Sequence, residues 1–344
     1  MQAPNRREQR DLWPYAGALR SGTVIVVTVD DLALLTACAA LAPSVHNTQP
    51  WRFRADGERI EIRADRNRQL GYLDPTGRQL HVSCGAAIEF AYLTARSIGR
   101  ECEVRLLPDP DDADLLAVLH LGGSAAPTPT EQRLAEAIAI RYTDRGPYSD
   151  RPVPEGVVED IRRRSAELDV WVRTIDHAND RRVLITILSD AEQEEAGDAR
   201  YATELAEWTG STVEVGIPAG AIADRWPSDR VSQVPLRDFN GHGAHPSAEV
   251  RGESPPPRVE RDLLVMLGTT TDEAGAWLTA GRALGWALLR AAADGISAQP
   301  LGPATDFPHN RARLRHELGL VGRPQFVVRM GYGNDRPRTR RMPA

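Results

Sequence analysis

The chain has 344 residues, of which 41% are apolar and 26% charged, and it carries a net charge of −6. These totals describe an ordinary globular protein of one large or two medium domains, with no overall field that would attract nucleic acid. All 42 basic residues are arginine, which excludes chemistry needing a lysine amine and leaves any bound anion to guanidinium groups, hydroxyls or backbone amides.

Residues 1–28 read as an N-terminal tail, polar and irregular over residues 1–20, and the apolar run at 23–29 is too short to span a membrane. Residues 30–42 predict a helix, with Leu32, Leu35 and Ala39 on one face and Asp30 and Asp31 at its favourable N-terminal end. Pro43 ends it. Two strands are expected at 51–54 and 59–64, then a turn at "LDPTGRQ", a long buried helix through "HVSCGAAIEFAYLTARSIG" and a strand at "CEVRLLPDP". The Gly/Pro/Ser/Thr-rich stretch 122–130 predicts an internal boundary, with Thr130 capping the following helix. Irregular chain through "RYTDRGPYSDRPVP" precedes a polar helix at 155–167, a strand "DVWVRTI" and further helix. Residues 209–258 are loop-rich and read as a functional lid or a disordered insertion. A strand "DLLVMLGTT", a helix at 274–294, a loop "GISAQPLGPATDF", an amphipathic helix, a strand "PQFVVRMGY" and an arginine-rich tail complete the chain.

Residues 83–99 align with 279–295, matching Gly85, Ala87, Ala91, Leu93, Ala95 and Gly99 to Gly281, Ala283, Ala287, Leu289, Ala291 and Gly295. Each helix leads through a short loop to a strand. The pattern predicts an internal duplication, in which two fused copies replace a symmetric dimer.

The stretch "APSVHNTQPWRF" (42–53) concentrates small hydrogen-bonding side chains before a proline and a tryptophan. Asn and Gln amides carry both a donor and an acceptor, suiting a ligand edge that alternates the two, such as a nucleobase or the pyrimidine edge of a flavin. Pro50 is expected to hold Gln49 extended, and Trp51 to anchor the loop in the core. A polar loop held by its own turn bonds is the alternative. His242 and His245, with Asp238, form a weak metal-like set lacking a base between the histidines. Cys84 sits at a buried helix start without a neighbouring base, which argues against a nucleophile. Cys38, Cys84 and Cys102 include no CxxC pair, which fits a reducing cytoplasm and neither disulfides nor structural zinc.

The 42–53 stretch resembles the flavin-contacting P-S-x-x-N-x-Q-P-W loop of FMN-dependent nitroreductase-like proteins. "IRYTDR" (140–145) resembles their R-x-S-x-R/K phosphate segment, "QPLGPATDF" their P-x-E-G loop, and "RMGYGNDRPRTRR" their closing strand and basic tail. The loop precedes the basic segment and neither motif occurs twice. Together with "DPTGRQLHVSCGAA" and "PLRDF", this resembles the Acg group of actinobacterial nitroreductase-like proteins.

The resemblance implies an α+β nitroreductase-like fold of two fused halves, 29–125 and 126–344, each with a mainly antiparallel sheet flanked by helices. It implies one complete FMN site and one lost site. Ser44, Asn47 and Gln49 would contact the ring system. Arg141, Thr143 and Arg145 would hold phosphate, helped by Arg338 and Arg340, with Arg336 and Arg341 as alternatives. Pro300, Leu301 and Gly302 would cover the reactive edge, where the family's acidic residue is replaced by Gly302 or Pro303. The implied activity is NADH- or NADPH-dependent reduction of a small-molecule acceptor such as a nitro compound or quinone, by a monomeric pseudo-dimer or a homodimer. The alternative is a non-enzymatic FMN store closed by the lid. No metal, nucleic acid or membrane partner is expected, and the expected location is cytoplasmic.

Overall fold

A computed structural model of the chain describes residues 29–209, 216–217, 230–232, 234–235 and 258–333. Helix α1 (Val29–Ala40) leads to β1 (Trp51–Asp56) and β2 (Arg59–Ala64), joined by a tight hairpin at Gly57. Helix α2 (Arg78–Ser97) follows, then β3 (Arg100–Leu106) and β4 (Leu115–Ser124). Helices α3 (Pro129–Ile140) and α4 (Glu155–Ala166) bring the chain to β5 (Trp171–Thr174), after which α5 (Ala178–Gly197) and α6 (Ala199–Trp208) are packed end to end. Two short strands, β6 (Arg230–Val231) and β7 (Arg258–Val259), pair in parallel. The chain then forms β8 (Leu263–Thr269), α7 (Ala274–Ala293), β9 (Ser297–Pro300), α8 (Pro303–Asp306), α9 (Pro308–Glu317) and β10 (Arg323–Gly331).

Two four-stranded sheets share one topology. The first has the order β1-β2-β4-β3 and the second β5-β8-β10-β9, with every neighbouring pair antiparallel. In each, two strands precede a long buried helix and two follow it. The helices α2 and α7 cross at their aligned glycines. A Cβ on Gly85 would lie 2.3 Å from the Leu278 carbonyl oxygen, and one on Gly281 would lie 2.1 Å from that of Val82. Leu278 and Val82 are themselves aligned by the repeat, so the two contacts exchange under a two-fold operation, the property of an isologous interface. The Glu89 carboxylate, fully buried on α2, receives Arg282 of α7 at 2.9 Å and Arg164 of α4 at 2.6 Å. One apolar core runs through both halves, including Leu35, Ile62 and Phe90 from the first and Leu267, Leu284 and Val328 from the second. The chain is therefore α+β, with two fused halves of like topology.

The two halves also differ in their connections. Helix α1 is separated from Trp51 by residues 41–50, whereas α4 is separated from Trp171 only by residues 167–170. Conversely, the hairpin between β1 and β2 is replaced by residues 175–262 between β5 and β8. Among the described residues, no helix is long and apolar enough to cross a membrane.

Several local expectations change. Residues 115–124, unassigned from sequence, form a strand between β2 and β3, so the boundary break shortens to the residues after Ser124. Thr128, not Thr130, caps α3: its hydroxyl accepts the Glu131 N–H at 3.2 Å while the Glu131 carboxylate accepts the Thr128 N–H at 2.7 Å. The segment expected as a loop at 295–307 contains β9 and α8 because Pro303 starts a short helix at its first turn.

Candidate functional site

The loop after α1 is held in a conformation its residue types disfavour. His46, Asn47 and Gln49 have φ of 44°, 57° and 50°, in the left-handed region. For residues with a Cβ each such conformation costs on the order of 1 kcal/mol, least for Asn, and is kept only where surroundings over-determine it. Here they do. The Ser44 hydroxyl accepts the Gln49 N–H at 2.9 Å, the Ser83 hydroxyl accepts the Val45 N–H at 3.3 Å, and Arg68 donates to the Thr48 carbonyl at 3.0 Å. The Cys84 thiol donates to the Pro50 carbonyl at 3.3 Å, and burial pushes its pKa up. Gln49 is therefore not extended before Pro50. Its carbonyl accepts the Trp51 N–H at 2.9 Å, closing a three-residue turn around the proline. Trp51 is buried in the core against Phe53, as an anchor should be.

Opposite this loop lies the segment following α3. The Arg141 guanidinium donates to the Leu41 carbonyl at 3.3 Å, tying the segment to the end of α1. Thr143 bridges to Ala298 of β9 in parallel, and the buried Asp144 carboxylate accepts the Gly146 N–H at 3.0 Å. A Cβ at Gly333 would come within 1.9 Å of that carboxylate, so glycine there lets β10's end close over the segment. Tyr148 donates its hydroxyl to the Asp144 carbonyl at 3.0 Å and stacks under Arg329, 4.1 Å from ring centroid to guanidinium.

The turn after β9 completes the site. Leu301 N–H donates to the Val327 carbonyl at 2.8 Å, and the Gly302 carbonyl accepts from Thr305 and Asp306 at 2.7 and 2.8 Å. A Cβ on Gly302 would lie 2.6 Å from the Asp306 carboxylate, which accepts from the Gln79 amide. Beneath it, Asp74 accepts the Gln79 and Leu80 N–H groups at 2.9 and 2.8 Å at the start of α2, and burial raises its pKa to about 6. The fully buried Arg78 donates to the Thr305 and Gln325 carbonyls at 2.6 and 2.8 Å, and burial lowers its pKa to about 10. The "DPTGRQ" turn thus joins the first half to the second beside the site.

These three stretches line one cavity that opens to solvent. The first half contributes Pro43 to His46 and, from α2, Gln79, Val82 and Ser83. The second contributes Thr143, Arg145, Leu284, Phe326, Gln299 to Pro303 and Asp306. Leu188 and Glu192 of α5, with Ile217 and Pro235, cover it. Of the residues singled out from sequence, Ser44, Thr143, Arg145, Pro300, Leu301 and Gly302 line the cavity. Asn47, Gln49 and Arg141 lie beside it. The Asn47 amide donates to the Gly216 carbonyl at 3.0 Å, and the Gln49 amide to the Asn47 carbonyl at 3.4 Å. Arg336, Arg338, Arg340 and Arg341 lie outside the described residues, as do Asp238, His242 and His245. No cluster of three or more metal-ligating side chains occurs among the described residues.

Gln79, Ser83, Gln299 and Asp306 are cavity residues that sequence reasoning passed over. Gln79, Val82 and Ser83 are spaced i, i+3, i+4 on one face of α2, a legible signal. Asp306 places an acidic group one helical turn beyond Gly302.

No protein-family model matches the chain. Among curated proteins, one from Mycobacterium tuberculosis named "Putative NAD(P)H nitroreductase Rv3131" is 34% identical over 296 residues, covering 86% of this chain and 83% of that protein. The protein acg of the same organism, given the same description, is 29% identical over 308 residues, covering 89% and 90%. The chain belongs to this nitroreductase-like family, in its Acg-type group. Among solved structures, the FMN-dependent nitroreductase NfnB from Mycobacterium smegmatis, in complex with NADPH, is 18% identical, with a TM-score of 0.35 over 59% of this chain and 89% of that one.

Proposed function

We propose that the chain binds FMN in the cavity between its halves and acts as an NAD(P)H-dependent reductase. The observation that carries this is the convergence of the Pro43–His46 loop, the Thr143–Arg145 segment and the Pro300–Gly302 turn on one cavity from three distant parts of the sequence. The lining fits the group: the Arg145 guanidinium and the Thr143 hydroxyl suit a phosphate, and between them and the Pro300 turn the buried Gln299 side-chain oxygen has no donor of its own. Thr143 and Arg145 would hold the phosphate, with Arg141, Arg338 and Arg340 contributing charge around it. Ser44, Asn47 and Gln49 would form the wall against the ring system, and Pro300 to Gly302 would cover its reactive edge. When bound, the flavin would supply the redox chemistry, taking a hydride from nicotinamide and reducing a nitro compound or quinone. The protein's part is to position the ring and keep water from it.

The halves would be 29–125 and 126–344. With residues 41–50 present in only one half, one site per chain is expected, and the internal two-fold favours a monomer. The cover over the cavity favours a second reading, in which the flavin is stored and closed to nicotinamide. Reconstitution with FMN followed by anaerobic NADPH titration separates the two. One flavin per chain that bleaches supports the reductase. One that stays oxidised with NADPH yet bleaches with dithionite supports storage. A chain that binds no FMN refutes both.

A further inference from the structure

Gln299 keeps a buried amide with an unmet hydrogen-bonding group. The residue is 5% exposed, lines the cavity, and its side-chain oxygen has no hydrogen-bond partner. Nearly all buried side-chain polar atoms in folded proteins are paired, and leaving one unpaired is costly.

Its position is fixed from both sides. Gln299 pairs with Arg329 in β10, and its neighbour Ala298 bridges to Thr143 and accepts the Asp144 N–H at 3.4 Å. The amide therefore lies between the Thr143–Arg145 segment and the turn that begins at Pro300. On the functional reading above, on which this step rests, those are the phosphate end and the ring end of the ligand. What joins them in FMN is a chain of hydroxyl-bearing carbons. A hydroxyl both donates and accepts, and so does a primary amide. We propose that Gln299 binds a hydroxyl of the ribityl chain, and that its unpaired amide oxygen is retained for that contact.

The test is a set of fluorescence titrations of flavin-free protein with FMN, riboflavin and lumiflavin, the last having the ring without the ribityl chain. Gln299→Leu and Gln299→Met both remove the amide at similar volume, so one substitute remains if the other fails to fold. The expected result is a loss of about five- to tenfold in affinity for FMN and riboflavin, the scale of one neutral hydrogen bond, with lumiflavin affinity unchanged. The Tm of the flavin-free variants should rise, because an unsatisfied buried group has been removed, whereas a structural glutamine would lower it. Equal losses for all three flavins would assign Gln299 to the ring and overturn the proposal, as would no loss for any. Wild-type protein that binds none of the three would overturn the FMN reading and this inference with it.

Discussion

Alanine at Gly281 should be among the most damaging single-methyl additions in the chain. On an exposed helix the same change is favourable, by up to ~1 kcal/mol, through helix propensity. At Gly281 the new Cβ would stand 2.1 Å from the Val82 carbonyl oxygen and 2.8 Å from its carbon. Both atoms are backbone of α2 and cannot rotate aside. The helices would have to part by about an ångström in a core packed at crystal density, and such overpacking costs roughly 1–3 kcal/mol or more. Set against the propensity gain, a net loss of about 1–2 kcal/mol is expected. Urea denaturation measures it, with Gly156→Ala as control, since that glycine lies on α4 with nothing within 4 Å of a Cβ. Gly85→Ala should behave like Gly281→Ala, meeting the Leu278 carbonyl oxygen at 2.3 Å. The double variant should cost less than the sum, because one separation relieves both clashes. If Gly281→Ala matched the control within ~0.5 kcal/mol, the close crossing would be wrong, and with it the two-fold seam on which the cavity depends.

Two further outcomes follow from named contacts. Burial raises the Asp74 pKa from 3.8 to about 6, so the native state holds this proton more tightly than the unfolded chain. Its stabilising effect is complete below the unfolded pKa and is lost as pH rises through about 6, by up to ~3 kcal/mol. Asp74→Asn should flatten the fall in stability across that window, and an unchanged slope would show that the carboxyl does not titrate as described. Asn47→Ala removes the 3.0 Å hydrogen bond to the Gly216 carbonyl. Loss of ~1 kcal/mol there should speed local opening roughly fivefold. Hydrogen exchange at the Ile217 amide, which donates to the Trp208 carbonyl at 2.8 Å, reads it. Exchange unchanged by the substitution would mean that Asn47 does not hold the cover.

Most of the fold could be read from local pattern, and the misses have physical causes. The period-two runs at 51–54 and 59–64, the apolar helix ending near Gly99 and the six aligned identities with 279–295 located both sheets and the seam. Strand β4 was passed over because "LLAVLHL" is apolar at every position but His120, as suits a strand between two neighbours, and so lacks the alternation that marks a half-buried one. The site motifs were legible because their residue types are unusual where they stand. Their backbone was not: nothing local indicates that Gln49 would take φ of 50°, since Ser44, Ser83, Arg68 and Cys84 impose the loop's shape from elsewhere. Gln299 was invisible for a related reason. Which face of β9 it occupies depends on pairing with β10, and its lack of a partner is a property of the assembled cavity.

The two differences between the halves fall on the same cavity, which is what fusion makes possible. In a symmetric dimer each subunit carries every loop and every insertion, so a change that improves one site is copied into the other. Here residues 41–50 supply one wall from the first half, while α5, Ile217 and Pro235, all within the stretch inserted between β5 and β8, supply the cover from the second. The corresponding connection in the other half is only 167–170, and in place of the insertion stands the hairpin at Gly57. The lost site would therefore lack both its wall and its cover. The Asn47 bond to Gly216 joins the retained wall to the retained cover, so ordering either one favours the other. A ligand that fixes the 42–50 loop should then slow exchange at Ile217 in the wild-type chain and lose that effect in Asn47→Ala. If FMN protected Ile217 equally in both, the coupling would run through the ligand itself and not through this hydrogen bond.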